Sequence, residues 1–199
     1  ATPDVALEAA RAAQSHIGLA RALARDPQMR ERRRAIITAP ASVRSVGEAV
    51  MAADRLLETA KAQADAQVSE RNAREKAELM RQLGMDEGES ATKASRTMIR
   101  QLEEDQKRRS KRALTDAIDR ALIDLLAIYR DVLMVQVGGD GELINTDLSD
   151  LVHEIAQDST PRQTLARVDH IETARKRLVS NGNPLLVLED MAISLRPQA

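Results

Sequence analysis

One tyrosine is the whole aromatic complement of this chain: its 199 residues include no Phe and no Trp. Aromatic side chains favour pleated strands, so their near absence removes much of what a sheet is built from. Ala, Leu, Arg, Glu and Gln are abundant instead, and each costs little in a helix. The composition predicts an all-α chain. It also excludes a stacking platform for single-stranded nucleic acid, which needs exposed rings. There is no Cys, which removes disulfides, thiol catalysis and zinc ribbons. The three His, at 16, 153 and 170, show no metal-ligand spacing, so neither metal nor cofactor is expected. With a formal net charge of −1, only local patches could attract a polyanion. No apolar run is long enough to span a membrane, and no signal peptide is visible. Ala1 opens a segment that already reads as helix, so the chain is expected to be a piece of a longer protein.

Helical punctuation divides the sequence. Thr2-Pro3 reads as a cap and first-turn proline, followed by Val5, Ala9 and Ala13 at helical spacing. Ile17 to Leu23 reads as a second short helix, with His16 as a cap or surface residue, and Asp26-Pro27 starts a third carrying Arg30, Arg32, Arg33 and Arg34. Ala39-Pro40-Ala41-Ser42 is read as a break and a domain boundary. Two long helical patterns follow, over 42–83 and 91–137, separated by a turn at Gly84-Met85-Asp86-Glu87-Gly88-Glu89-Ser90.

In the second long pattern, Leu114, Ile118, Ala121, Leu125, Ile128, Val132 and Val135 alternate spacings of three and four, the signature of a core seam. Leu122, Leu126, Tyr129 and Leu133 widen it. The first pattern carries Val46, Val50, Ala53, Leu57 and Ala60, then thins to alanines. Folding the pair near residue 87 places 60 opposite 114, so both seams weaken at one height. Residues 61–112 are therefore expected to form a slim antiparallel two-helix arm of roughly 40 Å. Gly138-Gly139-Asp140-Gly141 ends the second long helix. Three further helices follow. The first is capped at Thr146-Asp147 and presents Leu148, Leu151, Val152 and Ile155. The second starts at Thr160-Pro161 with the seam Leu165, Val168, Ile171, Ala174 and Leu178. The last starts at Asn183-Pro184, after Asn181-Gly182 closes its predecessor.

Chemistry-bearing motifs are missing: there is no phosphate-binding Gly-rich loop, no nucleophile–base set and no metal cluster. Glu103, Glu104 and Asp105 point different ways around a helix and read as a solvated face. Two basic patches stand out, one at Arg30, Arg32, Arg33 and Arg34 and one at Lys107, Arg108, Arg109, Lys111 and Arg112. Either could meet phosphate, and either could be balanced helix surface. His153 and His170 are expected at the surface or an interface, and Tyr129 in the core with its hydroxyl at the edge.

Three segments, in order, carry a family resemblance. Residues 15–26 look like the end of the lid of an AAA+ clamp-loader subunit. Residues 121–133, containing Tyr129-Arg130-Asp131, look like a collar helix. Asn183-Pro184-Leu185-Leu186-Val187-Leu188 looks like the entry to the last collar helix. Together they resemble the delta-prime family of bacterial DNA polymerase III clamp-loader subunits, whose collars are shared in part by gamma/tau. The resemblance implies a lid-like region over 1–38 and a collar bundle over 42–199, with 61–112 as a departure from the shorter family pattern. It implies a non-catalytic, cytoplasmic assembly role, with delta and gamma/tau as partners and the sliding clamp and primed DNA reached through the whole complex. It makes Tyr129, Arg130, Asn183, Pro184, Leu186 and Glu189 candidate interface residues. Arg21 gains a possible nucleotide-phosphate contact beside Gly18, and Arg108, Arg109, Lys111 and Arg112 possible DNA-phosphate contacts. A free-standing helical scaffold and a nucleic-acid-binding module are the other readings left open.

Overall fold

The computed structural model describes residues 1–14, 16–84 and 93–197. Among these the chain is all α, with no strand: α1 (Pro3–Ala12), α2 (Ile17–Arg25), α3 (Pro27–Ala41), α4 (Val46–Gln82), α5 (Lys93–Gln136), a 3-10 turn (Thr146–Leu148), α6 (Ser149–Gln157), α7 (Pro161–Val179) and α8 (Pro184–Ser194). The expected turn at 84–90, beyond Gly84, and the expected helix start at Ala91 lie outside the described residues. So does Ser15.

Capping chemistry sets the starts of α1, α2, α3 and α7, whereas α6, expected to be capped at Thr146-Asp147, follows the 3-10 turn formed by those residues and has no side-chain cap. Thr2 Oγ1 accepts from Val5 N, His16 Nδ1 from Leu19 N, and Asp26 Oδ1 from Gln28 N. Each satisfies a donor that the first turn leaves without a partner. Thr160 and Gln163 form a reciprocal capping box ahead of α7. Pro40 does not break α3 as expected but sits in its last turn, with Ser42 as the cap. A proline there forfeits one bond at a frayed end rather than in the middle of a ladder. The α7 exit also differs from expectation. Asn181, not Gly182, is left-handed, with φ 62°. Gly182 N donates to Arg177 O at 2.8 Å and Asn181 N to Leu178 O at 3.1 Å, the paired bonds of a Schellman exit. Gly182 is required by close approach: a Cβ there would lie 2.8 Å from the Arg177 carbonyl oxygen.

The helices form two compact units, 1–59 with 119–199, and 60–118. The core of the first is built on α5. Leu122, Leu125, Ile128, Tyr129 and Val132 are fully buried there, with Ile37, Val152, Ile171, Leu188 and Ala192 from other helices. Of the two α5 stripes read from the sequence, Ile118, Ala121, Leu122, Leu125, Ile128, Tyr129 and Val132 are buried, whereas Leu114, Leu126, Leu133 and Val135 are half-buried. On α4 the buried face is Ala49, Ala52, Ala53, Leu56 and Leu57, whereas Val46 and Val50 are exposed, so the seam starts one turn later than expected. On α7 Leu165 is likewise exposed, and Thr164 and Arg167 take inward positions beside Ile171, Ala174 and Leu178.

Polar groups organise this core. The Asp131 carboxylate, fully buried, accepts from Ile144 N (3.0 Å), Asn145 N (2.8 Å), Asn145 Nδ2 (2.9 Å) and Arg130 Nη1 (2.7 Å). Asn145 Oδ1 in turn accepts from Arg33 Nη2 at 2.6 Å, and Arg33 Nε donates to Asp124 at 3.1 Å. Burial pushes the Asp124 carboxyl up, and the Arg33 guanidinium opposes that shift. Arg175 grips Asp119 with two bonds of 2.7 and 3.2 Å, tying α7 to α5.

The second unit is a helix pair. Ala64, Val68 and Ala113 form its small apolar core, with Leu114 packed against it. Further along, polar contacts also join the two helices. Gln106 Nε2 donates to Asn72 O, and Arg109 Nη1 to Asn72 Oδ1 and Glu75 Oε2, both at 2.8 Å. Hydrogen bonds from Arg109 and then Arg71 hold Glu75 down at about 2.

Tyr129 departs from expectation in one respect. Its ring is in the core, but its hydroxyl is not at the edge: it is buried, with no hydrogen-bond partner among the described residues. The Arg167 guanidinium lies 5.9 Å from the ring centroid. Burial raises the phenol to about 12, and Arg167 opposes the shift.

Two outcomes are expected. Asp131→Ala strands two backbone donors and the Asn145 amide, at a cost of about 3 kcal/mol; Asp131→Asn costs less. Urea denaturation checks the order, and equal stability in both variants would contradict it. Tyr129→Phe removes a buried donor that lacks a partner, so stability stays level or rises by about 1 kcal/mol. Unfolded tyrosine ionises near 10, two units below the folded group, so the parent loses stability as pH rises above about 10. The Phe variant lacks that decline. With one Tyr and no Trp in the chain, tyrosinate absorbance reads this single group directly.

Candidate assembly surface

Helix α8 carries apolar residues on two sides, with Glu189, Asp190 and Ser194 flanking those that face outward. Asn183 Oδ1 caps it by accepting from Leu185 N (3.0 Å) and Leu186 N (3.4 Å), and Pro184 occupies the first turn. From this fixed start, Val187, Leu188, Met191 and Ala192 point into the core. The remaining apolar residues, Leu185, Leu186 and Ile193, lie on the other sides, and Leu186 is 62% exposed. Arg177 pairs with Asp190 and fixes α8 against α7. A large apolar side chain left exposed opposite a buried face is a candidate contact point.

Further exposed aliphatic side chains accompany Leu186. Val179, at the end of α7, is 77% exposed, so Val179 and Leu186 bracket the α7–α8 turn. Val137 and Leu165 are exposed on either side of a polar tie in which Gln136 Nε2 donates to Ser159 O and Thr164 Oγ1 to Gln136 Oε1. Val46, Val50 and Met51 expose a third spot on the first turns of α4.

The six sequence-derived interface candidates fall into different places. Tyr129 is buried within its own unit and presents no surface, because its ring fills the α5 core. Arg130 is exposed, but its guanidinium is occupied by Asp131 and by the carbonyl of Glu142 at 3.0 Å. Asn183 is exposed with its side-chain oxygen committed to the cap, while Pro184 and Glu189 are half-buried. Leu186 alone among the six offers a large exposed apolar side chain. Val137, Leu165 and Val179 are exposed but are not among the six. Leu165 and Val179 sit in a helix whose other positions are mainly polar, where burial of Thr164 and Arg167 displaces Leu165 outward.

The first basic patch dissolves. Arg33 is buried against Asp124 and Asn145, Arg30 donates to the carbonyls of Leu23 and Ala24 at the α2 exit, and Arg34 reaches Asp147. Arg32 and Arg34 remain exposed, Arg34 with its guanidinium held at Asp147. Arg21 is exposed on α2, beside a turn in which a Gly18 Cβ would lie 3.3 Å from the His16 ring. Among the possible DNA contacts, Arg109 is half-buried on Asn72 and Glu75, while Arg108, Lys111 and Arg112 are exposed. His153 and His170 are both exposed. Among the described residues no helix is long and apolar enough to cross a membrane.

Comparison with known proteins bears on this surface. The family described as DNA polymerase III, delta subunit, C terminal, matches residues 89–196, just over half of the chain. Those residues include α5 to α8 and every surface residue of α7 and α8 described above. Over 72 residues the chain is 36% identical to DNA polymerase III subunit delta' of Bacillus subtilis (strain 168), covering 36% of this chain and 22% of that protein. The chain thus spans about a fifth of the length of the curated relative it matches. No solved structure matches it. On the extent of the family match, the chain belongs to the family formed by the C-terminal regions of DNA polymerase III delta subunits.

Proposed function

We propose that this chain is a non-catalytic assembly region of the clamp loader of bacterial DNA polymerase III, of the delta-prime type. In this reading 42–199 is the collar, 1–38 the end of the lid and 61–112 an arm inserted in the collar. The collar holds the loader's subunits in a ring in the cytoplasm, and the whole complex sets the sliding clamp on primed DNA. Its direct partners are the collars of delta and gamma/tau.

The observation that carries the reading is the outer face of α8. Leu186 is 62% exposed within the segment matched to the family, on a helix whose opposite face is fixed in the core. Burying one leucine is worth roughly 1.5–3 kcal/mol, so a handful of such aliphatic side chains accounts for the apolar centre of a standard interface. The exposed residues near the turn, Val179 and Leu186, are β- or γ-branched and rotamer-poor, so ordering them costs little entropy.

Leu186→Glu is expected to keep the helical circular dichroism of the parent and to weaken association with delta and gamma/tau collars about a hundredfold, by light scattering on a sizing column. Leu188→Glu, at a buried position, is expected to unfold the first unit instead. Association of the folded Leu186→Glu chain at parental strength would overturn the assignment of this face.

A further inference from the structure

The valley between α3 and α4 holds two hollows, and Arg55 stands between them. The first, of about 340 Å³, is lined by Ala35, Ile36, Leu56 and Thr59. The second, of about 160 Å³, is lined by Val43 and Met51. Ala39, Ala52 and Arg55 line both. The floor is apolar and open, because the alanines of both helices carry too little side chain to fill it. Arg55 is exposed, and its side chain makes no ion pair or hydrogen bond among the described residues. Glu58, on the rim of the first hollow, is engaged elsewhere. Two aliphatic hollows divided by one unanswered cation call for an occupant with a carboxylate between two aliphatic side chains.

The outer face of α8 has that pattern. Leu186, Glu189, Asp190 and Ile193 stand at i, i+3, i+4 and i+7, so they share one side of the helix. Asp190 is paired with Arg177, whereas the Glu189 side chain makes no ion pair or hydrogen bond among the described residues. Leu186 and Ile193 flank Glu189 and lie about 10.5 Å apart along the axis. A second pair of charges repeats the match in reverse. Glu48, on the rim of the second hollow, precedes Arg55 by seven residues, and Arg196 follows Glu189 by seven. Arg196 Nε donates to Ile193 O, which leaves its two terminal nitrogens for another acceptor. Laid antiparallel to α4, α8 brings Glu189 to Arg55 and Arg196 to Glu48, with Leu186 over the first hollow and Ile193 over the second. A parallel arrangement offers Arg196 no carboxylate at that spacing, since position 62 is Ala.

We propose that α8 of one copy of this chain docks in the α3–α4 groove of a second copy. Groove and helix face are different surfaces of the same unit, so the contact is head to tail and each copy in a pair keeps one surface open. A single helix face covers less area than a standard stable interface, so the contact is weak and fills only at high protein concentration. The Glu189–Arg55 pair sits between the aliphatic contacts, where salt screens it less than an exposed pair. The inference rests on the reading of the α8 outer face as an assembly surface, and it adds the surface that receives it.

The test is sedimentation of the whole chain at concentrations up to about 1 mM, the range a contact of this size requires. The parent is expected to self-associate reversibly. Arg55→Glu and Glu189→Arg, each alone, set like charges against each other and are expected to weaken self-association at least about tenfold, with helical circular dichroism unchanged. Mixing the two variants restores association, because every groove then meets an α8 of opposite charge. Arg55→Glu, at an exposed position, decides the matter by itself if Glu189→Arg fails to fold. A parent that stays monomeric to about 1 mM would overturn the proposal. So would parental self-association by Arg55→Glu, or a mixture of folded variants that stays apart. The assembly reading is separated by one comparison. Leu186→Glu is expected to lose both self-association and binding to delta and gamma/tau collars, whereas Arg55→Glu keeps the α8 face and its binding to those collars. Loss of collar binding in Leu186→Glu beside a monomeric parent would sink this inference and leave that reading standing.

Discussion

The buried carboxylate of Asp131 is the constraint on which the first unit depends. The segment 138–145 leaves α5 through a run of glycines and has no helix of its own to satisfy its backbone. Asp131 supplies the missing acceptor to Ile144 and Asn145, and Asn145 passes the connection to Arg33 and so to Asp124. Every member of such a network must be satisfied, because a buried polar group without a partner costs more than an apolar one. Sliding α3 along α5 by one turn would strand the Arg33 guanidinium. The aliphatic residues around it, chiefly Ala, Leu, Ile and Val, would resist that slide far less, because such cores tolerate repacking. The polar chain thus selects one arrangement of α3, α5 and the loop, while the apolar core provides most of the burial.

That division of labour explains why α8 can be apolar on both sides. Its inward residues complete the core that the network has positioned, and its start is fixed by Asn183 and the Schellman exit before it. With place and direction set by these means, the outward residues are not needed for folding. An aliphatic surface free of folding duty is what an assembly interface requires, because residues there can be matched to a neighbour without destabilising the chain itself. The family match over 89–196 includes both the network on α5 and this helix.

Much of this was legible in the sequence, for reasons tied to particular residues. Caps and prolines gave the starts of α1, α3, α7 and α8, because Thr2, Asp26, Thr160 and Asn183 act within three residues of their partners. The α5 stripes were legible because buried helices keep a strict period. What stayed hidden was long-range polar pairing. Arg33 looked like one of four surface arginines, since nothing in its neighbours announces Asp124, 91 residues away. The same applies to Arg167, whose partner is the Tyr129 ring. Leu186 could not be assigned from periodicity, because the apolar run from Leu185 to Leu188 fills successive positions around α8 and marks no single face. Its exposure had to come from the packing of Val187, Leu188 and Met191.

The scarcity of aromatic residues constrains what an assembly surface on α7 and α8 can be made of. An interface without Tyr, Trp or Phe lacks the side chains that most often act as single dominant anchors. Its affinity must be spread over several aliphatic residues such as Val179 and Leu186, with weak dependence on salt.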